Sequence, residues 1–318
     1  MKRVWGLALA LGGALLALPA MAQTTDQAPS GADKDMGANH LRLCTGSPSG
    51  NYHFAGMEIL SRVGGGKEVN TDGSLTNLRD LMDGTCTIAF SQSDVFSQFA
   101  LEQPASLGAI EAWKVVYTEY VHILCPVVAG WTRVNHLGKA QGNLIVGPNG
   151  TGSAETWRIL RQADDSLYEK VGRLPDPVDR ESLTKVKDSK DTCVLWVSGV
   201  NAASMKIANM MSVNTKDHQP SMMLLDVNDR DMKSIKGLNG KPMYEWKEID
   251  RKEPSGGNPG LYENIMQSSS VSVPTVDAVL VVRSDWLKAI RPSGKADRLV
   301  QAVEDASPTI WKTVNPDE

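Results

Sequence analysis

The chain has 318 residues, 41% of them hydrophobic, with 33 Lys and Arg against 37 Asp and Glu for a formal net charge of −4. That length can bury two cores of ordinary size. The mild acidity, with no Lys/Arg run, excludes a nucleic-acid or anionic-membrane surface as the main partner.

Residues 1–22 place Lys2 and Arg3 before an apolar run from Leu7 to Leu18 and end on Ala20-Met21-Ala22, the three regions of a secretory signal. The run is shorter than the roughly 20 residues a membrane span needs. Cleavage after Ala22 and release into the periplasm are therefore expected. No Cys follows the run, which argues against a lipid anchor, and the formal charge falls to −6 once Lys2 and Arg3 are removed. Residues 23–39 are polar and aperiodic and read as a disordered leader.

From residue 40 onward short apolar runs alternate with helical stretches, the pattern of an α/β protein with mostly parallel sheets. Residues 41–44 read as a strand, 51–63 as a helix, and Gly64-Gly65-Gly66 as a break. Leu75, Leu78, Leu81 and Met82 give residues 74–82 one apolar helical face. Residues 85–90 are the next strand and 93–100 a helix, and 115–128 (VVYTEYVHILCPVV) are strongly extended. The second half repeats the order, with strands at 144–146 and 192–198 around a helix at 153–163. Residues 226–263 are polar and Gly/Pro/Lys-interleaved, with the least predictable structure. A second long extended run covers 270–282, and residues 295–314 carry a helical face through Leu299, Val300, Val303, Ile310 and Trp311. Two long extended stretches predict paired crossings: a first domain from 40–126 and 273–318, a second from 127–272, and a cleft between them.

Two Gly/Ser-rich turns, LCTGSPSGNY and VGPNGTGSAE, each follow a strand and open a helix, and about 100 residues separate them. Such turns present backbone N–H groups at the positive end of a helix, a site for an anion. Cys44, Cys86, Cys125 and Cys193 are even in number, which permits two disulfides in three connectivities. All four also lie in or beside apolar runs, where buried free thiols are equally natural.

Four motifs in order carry a resemblance: Cys44-Thr45-Gly46-Ser47-Pro48-Ser49-Gly50-Asn51-Tyr52, Thr71-Asp72-Gly73-Ser74-Leu75-Thr76-Asn77-Leu78, Ser91-Gln92-Ser93-Asp94, and Gly147-Pro148-Asn149-Gly150-Thr151-Gly152-Ser153. With them the chain resembles the TAXI family, the TRAP-associated extracytoplasmic immunogenic solute-binding proteins. The resemblance implies a periplasmic-binding-protein fold of the second type, two α/β domains joined by a two-strand hinge. It also implies a ligand such as glutamate, glutamine or a small dicarboxylate, and a TRAP-type membrane permease as partner. Cys44, Asn51 and His53 depart from the family pattern, as does Ser198-Gly199-Val200-Asn201.

Thr45, Ser47 and Asn51 offer short hydrogen-bonding groups beside backbone donors, and Gly46 and Gly50 allow close approach. Either they cradle the ligand or they cap the helix at 51. Tyr52 supplies a flat wall, or else packs in the core. Ser74 reads as an N-cap or a ligand contact. Gln92 and Asp94 emerge at the carboxyl end of a strand, where ligands bind in open α/β sheets; Asp94 is a counter-charge for an ammonium group or a helix cap. Asn149, Thr151, Gly152 and Ser153 would donate to the other end of the ligand, with Gly199 and Asn201 as weaker candidates. No cofactor and no metal are expected, because His40, His53, His122, His136 and His218 are scattered.

Enzyme signatures are poor. The lysine of a P-loop is missing after Gly152, and Pro48 stands where a nucleophile elbow needs Ser. A Cys44–His53 thiol–imidazole pair leaves an exported hydrolase as a remote alternative. A monomeric binding protein is expected, with a ligand sensor for a membrane signalling partner as the other reading.

Overall fold

β-Branched and aromatic residues dominate two segments, Ile110–Pro126 and Ser270–Arg283, and both are long strands in the computed structural model. The structure describes residues 40–213, 219–251 and 262–316. The expected signal at 1–22 and leader at 23–39 lie outside them, as do His218 and residues 252–261 of the polar segment.

The strands are β1 (Arg42–Cys44), β2 (Lys67–Val69), β3 (Ile88–Gln92), β4 (Ile110–Pro126), β5 (Asn143–Ile145), β6 (Gly172–Leu174), β7 (Thr192–Ser198), β8 (Met222–Leu224), β9 (Glu245–Asp250) and β10 (Ser270–Arg283). The helices are α1 (Asn51–Val63), α2 (Ser74–Asp83), α3 (Ser93–Glu102), α4 (Ser106–Ala109), α5 (Val134–Ala140), α6 (Gly152–Leu160), α7 (Asp165–Tyr168), α8 (Arg180–Asp188), α9 (Ala203–Ser212), α10 (Ser284–Ile290) and α11 (Lys295–Val314). None of the described helices is long and apolar enough to cross a membrane.

The strands run in the order β2-β1-β3-β10-β4-β7-β5-β6. Two parallel triplets, β2-β1-β3 and β6-β5-β7, stand at the ends. The antiparallel pairings belong to the crossing strands. β10 pairs with β3, β4 and β9, whereas β4 leaves β10 near Tyr120 and pairs onward with β7 and β8. Each triplet followed by a crossing strand gives the same order twice, the α/β architecture of the second type of periplasmic binding protein.

Each half fills its own core. In the first, Ala55 and Ile59 of α1 meet Leu43, Phe90 and Leu280 on one sheet face, together with Leu299, Val303 and Ile310 of α11. Leu78, Leu81 and Phe99 cover the opposite face. In the second half, fully buried Trp157 packs edge-on against Tyr168 at 5.9 Å, within a cluster that includes Leu144, Leu183 and Val194.

Helices α4, α5, α7, α8, α9 and α10 and strands β6, β8 and β9 are not among the elements that periodicity predicts. α8 has only Leu183 and Val186 as buried apolar residues among charged ones, so its hydrophobic signal is thin. Its start is fixed by Asp179, whose carboxylate accepts from the N–H groups of Glu181 and Ser182.

Each half carries one disulfide, Cys44–Cys86 and Cys125–Cys193. The β4–β7 register pairs Leu124 with Val194, so Cys125 and Cys193 face each other on the next rung. Cross-linking removes conformations from the unfolded chain. Closing the 68-residue separation is worth about 4 kcal/mol in the chain-entropy picture. The double substitution Cys125→Ala with Cys193→Ala is expected to lower the unfolding free energy by about 2–4 kcal/mol. Urea titration would read this as a lower midpoint, and an unmoved midpoint would show that the crosslink adds nothing.

Candidate functional site

The β1–α1 turn and the start of α2 face the start of α6 and the loop before α8 across a cavity of about 450 Å³. One wall comes from the first half: Ser47, Ser49, Asn51, Tyr52, Asp72 and Ser74. The opposite wall is formed by Gly152, Ser153, Arg180 and a group of apolar side chains around Trp196. Gln92 and Glu119 lie between the walls.

The second sequence motif has a local physical role. Asn77 is fully buried; its amide donates to the carbonyls of Thr45 and Phe90 at 2.6 and 2.7 Å. The Thr71 hydroxyl is hydrogen-bonded with the Asn77 carbonyl oxygen and the Thr45 carbonyl. These bonds hold the β1–α1 turn against the sheet. Gly73 caps α2 with φ of +123°, a conformation that residues with a Cβ seldom adopt.

Gly50 is the N-cap residue of α1, so Asn51 is its first helical residue, and the Asn51 side-chain amide nitrogen is buried without a hydrogen-bond partner among the described residues. Ser74 likewise begins α2 rather than capping it. Its hydroxyl accepts from the Gln92 N–H at 3.2 Å and lies 3.3 Å from the Tyr52 hydroxyl. The Tyr52 ring stacks on Phe90 at 5.0 Å while its hydroxyl reaches the cavity floor. Across the cleft, Ser153 accepts from the Val197 N–H at 2.9 Å. Ser47, Gly50, Asn51, Tyr52, Ser74, Gln92, Gly152 and Ser153 thus line one cavity.

The other candidates lie elsewhere, each for a visible reason. Thr45 is buried and donates to Glu68 at 2.6 Å within the first half. Asp94 is buried beside α6. One of its oxygens accepts from Thr156 at 2.8 Å and Tyr244 at 3.0 Å, the other from the Val95 N–H. Asn149 accepts from Arg173 on the outer surface. Thr151 caps α6 through Ala154 N–H and donates to the Pro148 carbonyl. Gly199 packs on Val314, and Asn201 donates to the Thr313 carbonyl, docking that turn onto the end of α11. A Cys44–His53 catalytic pair is not formed, since Cys44 is in a disulfide and His53 contacts Glu68.

The halves touch directly at the rim. Leu75 N–H donates to the Gly150 carbonyl at 3.1 Å, Arg158 pairs with Glu102 at 2.8 Å, and Asp94 receives Thr156. Gly152 sits so close to the first half that a Cβ there would run into Gln92 and Ser74.

Glu119 is not among the sequence-predicted site residues, although it is the one carboxylate in the apolar and aromatic run from Tyr117 to Cys125. It lies where β4 passes between the halves, opposite Val276. It is 4% exposed and accepts from the Tyr52 hydroxyl at 3.2 Å. Burial pushes its carboxyl up to about 8; hydrogen bonds from Tyr52 and Gln92 oppose this, and Asp94 and Asp277 add to it. Asp94 is raised by burial to about 6, with Thr156, Tyr244 and Val95 opposing. Arg180, at the start of α8, is the only cationic side chain on the cavity wall and makes no ion pair among the described residues.

No protein-family model and no curated protein sequence matches the chain. Among solved structures it is similar to a substrate-binding protein of an amino acid ABC transporter, at 8% identity and a TM-score of 0.48 over 88% of this chain and 100% of the other. It is also similar to the GluR0 ligand-binding core in complex with L-glutamate, at 8% identity and a TM-score of 0.48 over 87% and 98%. A third similarity is to a sulfate-bound mutant of the OxyR2 regulatory domain from Vibrio vulnificus, at 11% identity and a TM-score of 0.45 over 85% and 95%. At these identities and scores they fix neither ligand nor partner.

The raised Glu119 carboxyl has a measurable consequence. Between about pH 4.5 and 8 the unfolded chain releases a proton that the folded chain keeps, so Glu119 destabilises the fold progressively as pH rises through that window. Asp94 adds the same sign between about pH 3.8 and 6. Glu119→Gln is expected to remove a loss of roughly 2–4 kcal/mol between pH 5 and 8. Parallel urea titrations of both proteins would show a flatter pH profile for the variant; identical profiles would show that folding does not raise the Glu119 carboxyl.

Proposed function

We propose that the protein is an extracytoplasmic solute-binding protein whose two halves close on a small carboxylate-bearing solute. The observation that carries this reading is the cavity between the parallel triplets, with the first turns of α1, α2 and α6 on its walls. Backbone N–H groups at helix starts favour an anionic group by about 0.3–1 kcal/mol each at exposed sites. Arg180 adds a full positive charge at the same cavity.

Two disulfides support an oxidising compartment, in keeping with the signal read in residues 1–22. The expected two-domain division at 126–127 and 272–273 enters here as part of the proposal. The halves would pivot on β4 and β10, and solute contacts from both sides would shift the population toward the closed form. Delivery to a TRAP-type membrane permease is the partner that the four sequence motifs imply.

A thermal-shift panel of amino acids, keto acids and dicarboxylates is the direct test. One chemical class is expected to raise the melting temperature in a concentration-dependent way. Mass spectrometry of the denatured protein would reveal a solute that had co-purified. A protein free of bound solute and unmoved by every class would sink the proposal.

Closure is tested separately by Gly152→Ala, whose new methyl group would have to occupy the space of the Gln92 and Ser74 side chains. At least a tenfold loss of affinity for the stabilising compound is expected, about 1.4 kcal/mol. Equal affinity in calorimetry would show that the halves do not need to meet.

A further inference from the structure

The two walls of the cavity differ in chemistry. The first-half wall is polar, whereas Val178, Leu183, Trp196, Ala202 and Ile207 form an apolar panel on the second half. Leu183 and Trp196 are 1% and 4% exposed, and both belong to the packed core behind that wall. They form a rigid backing, and half-buried Val178 and Ile207 present apolar surface to the cavity in front of it.

The charges are equally uneven. Arg180 is the single cation, against the three carboxyl groups of Asp72, Glu119 and Asp179. Asp179 is engaged in capping α8 through the N–H groups of Glu181 and Ser182. Among the described residues Glu119 makes no ion pair, and Lys247 of β9 lies over the ring of the adjacent Tyr120 and acts on Asp277. The groups that act on it are Tyr52 from α1, Gln92 from β3, Asp94 from α3 and Asp277 from β10, and it in turn acts on Tyr117 of its own strand. A buried carboxyl in that setting either holds a proton or takes a cationic partner.

Resting on the proposed solute-binding role, we propose that the solute is an α-amino acid with an apolar side chain. Its ammonium group is held by Glu119, its carboxylate by the helix starts and Arg180, and its side chain lies against the Trp196 panel. A dicarboxylate would bring a second negative charge to a wall that offers carboxyls or apolar groups in place of a second cation. An α-keto acid would leave Glu119 without its partner. The cavity of about 450 Å³ holds a solute of this size together with a few waters.

The test is calorimetry on the protein refolded from denaturant, to strip any co-purified solute. The probes are L-leucine, L-phenylalanine, 4-methyl-2-oxopentanoate, L-glutamate and succinate. Leucine or phenylalanine is expected to bind tightest. 4-Methyl-2-oxopentanoate, which carries a keto oxygen where leucine carries its ammonium group, should bind roughly 10- to 100-fold more weakly than leucine, the range of one charge-assisted hydrogen bond. In Glu119→Gln the leucine and keto-acid affinities should converge to within about threefold.

Tightest binding of succinate or glutamate would overturn the inference while leaving the solute-binding role standing. So would a keto acid equal to leucine in the native protein, which needs no variant to fold. Heat from none of the probes would also overturn the inference, and the broader thermal-shift panel would then decide the fate of the solute-binding role itself.

Discussion

β4 and β10 belong to both halves of the sheet, and the remaining architecture is arranged around that sharing. β4 runs for 17 residues, pairing with β10 up to Tyr120 and with β7 beyond it. Its backbone groups are satisfied by different partners on the two sides of one crossing point. Residues there are members of a sheet and the floor of a cleft at once. Glu119 is the polar side chain that β4 presents at that point, so its burial follows from the topology. On another side of the crossing, Asn315 accepts from Val200 N–H and donates to the Thr118 carbonyl, which binds the 199–201 turn, the end of α11 and β4 together.

The cleft walls follow from local sequence chemistry. Each parallel strand must hand the chain to a helix, and the turn that does so leaves the first N–H groups of that helix unpaired. In β1–α1 the turn is held from behind by Asn77 and Thr71, which leaves its front free to face the cavity. At α6 the backbone approaches the first half so closely that a Cβ at residue 152 would have to displace the Gln92 and Ser74 side chains. The glycine-rich character of these turns is thus explained by two separate demands: a chain direction at Gly73 that a Cβ disfavours, and a contact between halves at Gly152.

Much of this is legible in the sequence because it is local. The alternation of strand and helix, the long runs at β4 and β10 and the turns that open α1 and α6 are all written in stretches of ten to twenty residues. Eight of the fourteen candidate residues line the cavity for the same reason: they lie where a strand hands over to a helix. What cannot be read there depends on distant partners. Asn201 follows a strand, yet it bonds to Thr313, which lies 112 residues on. Thr45 sits in the right turn, but Glu68 captures its hydroxyl. The Trp196 panel is hidden because a strand of the form TCVLWVS reads as core on either face. Arg180 and α8 are hidden by a helix with few apolar residues.

Asp94 and Glu119 show why a buried carboxylate is hard to assign from sequence. Both are desolvated, and burial raises both. The difference lies in the donors each one meets. Asp94 receives a backbone N–H and the hydroxyls of Thr156 and Tyr244, which hold it near 6. Glu119 has Tyr52 and Gln92, lies close to Asp94 and Asp277, and is pushed to about 8. A carboxyl whose acceptor capacity is met by the protein gains little from a ligand, because any new contact must displace a hydrogen bond already made. One left short of donors on a cavity floor gains from each donor that arrives. Asp94 occupies the strand-end position at which a ligand contact is ordinarily sought, yet its bonds make it a tie between α3 and α6. Glu119, in mid-strand, is the group whose remaining capacity faces the cavity.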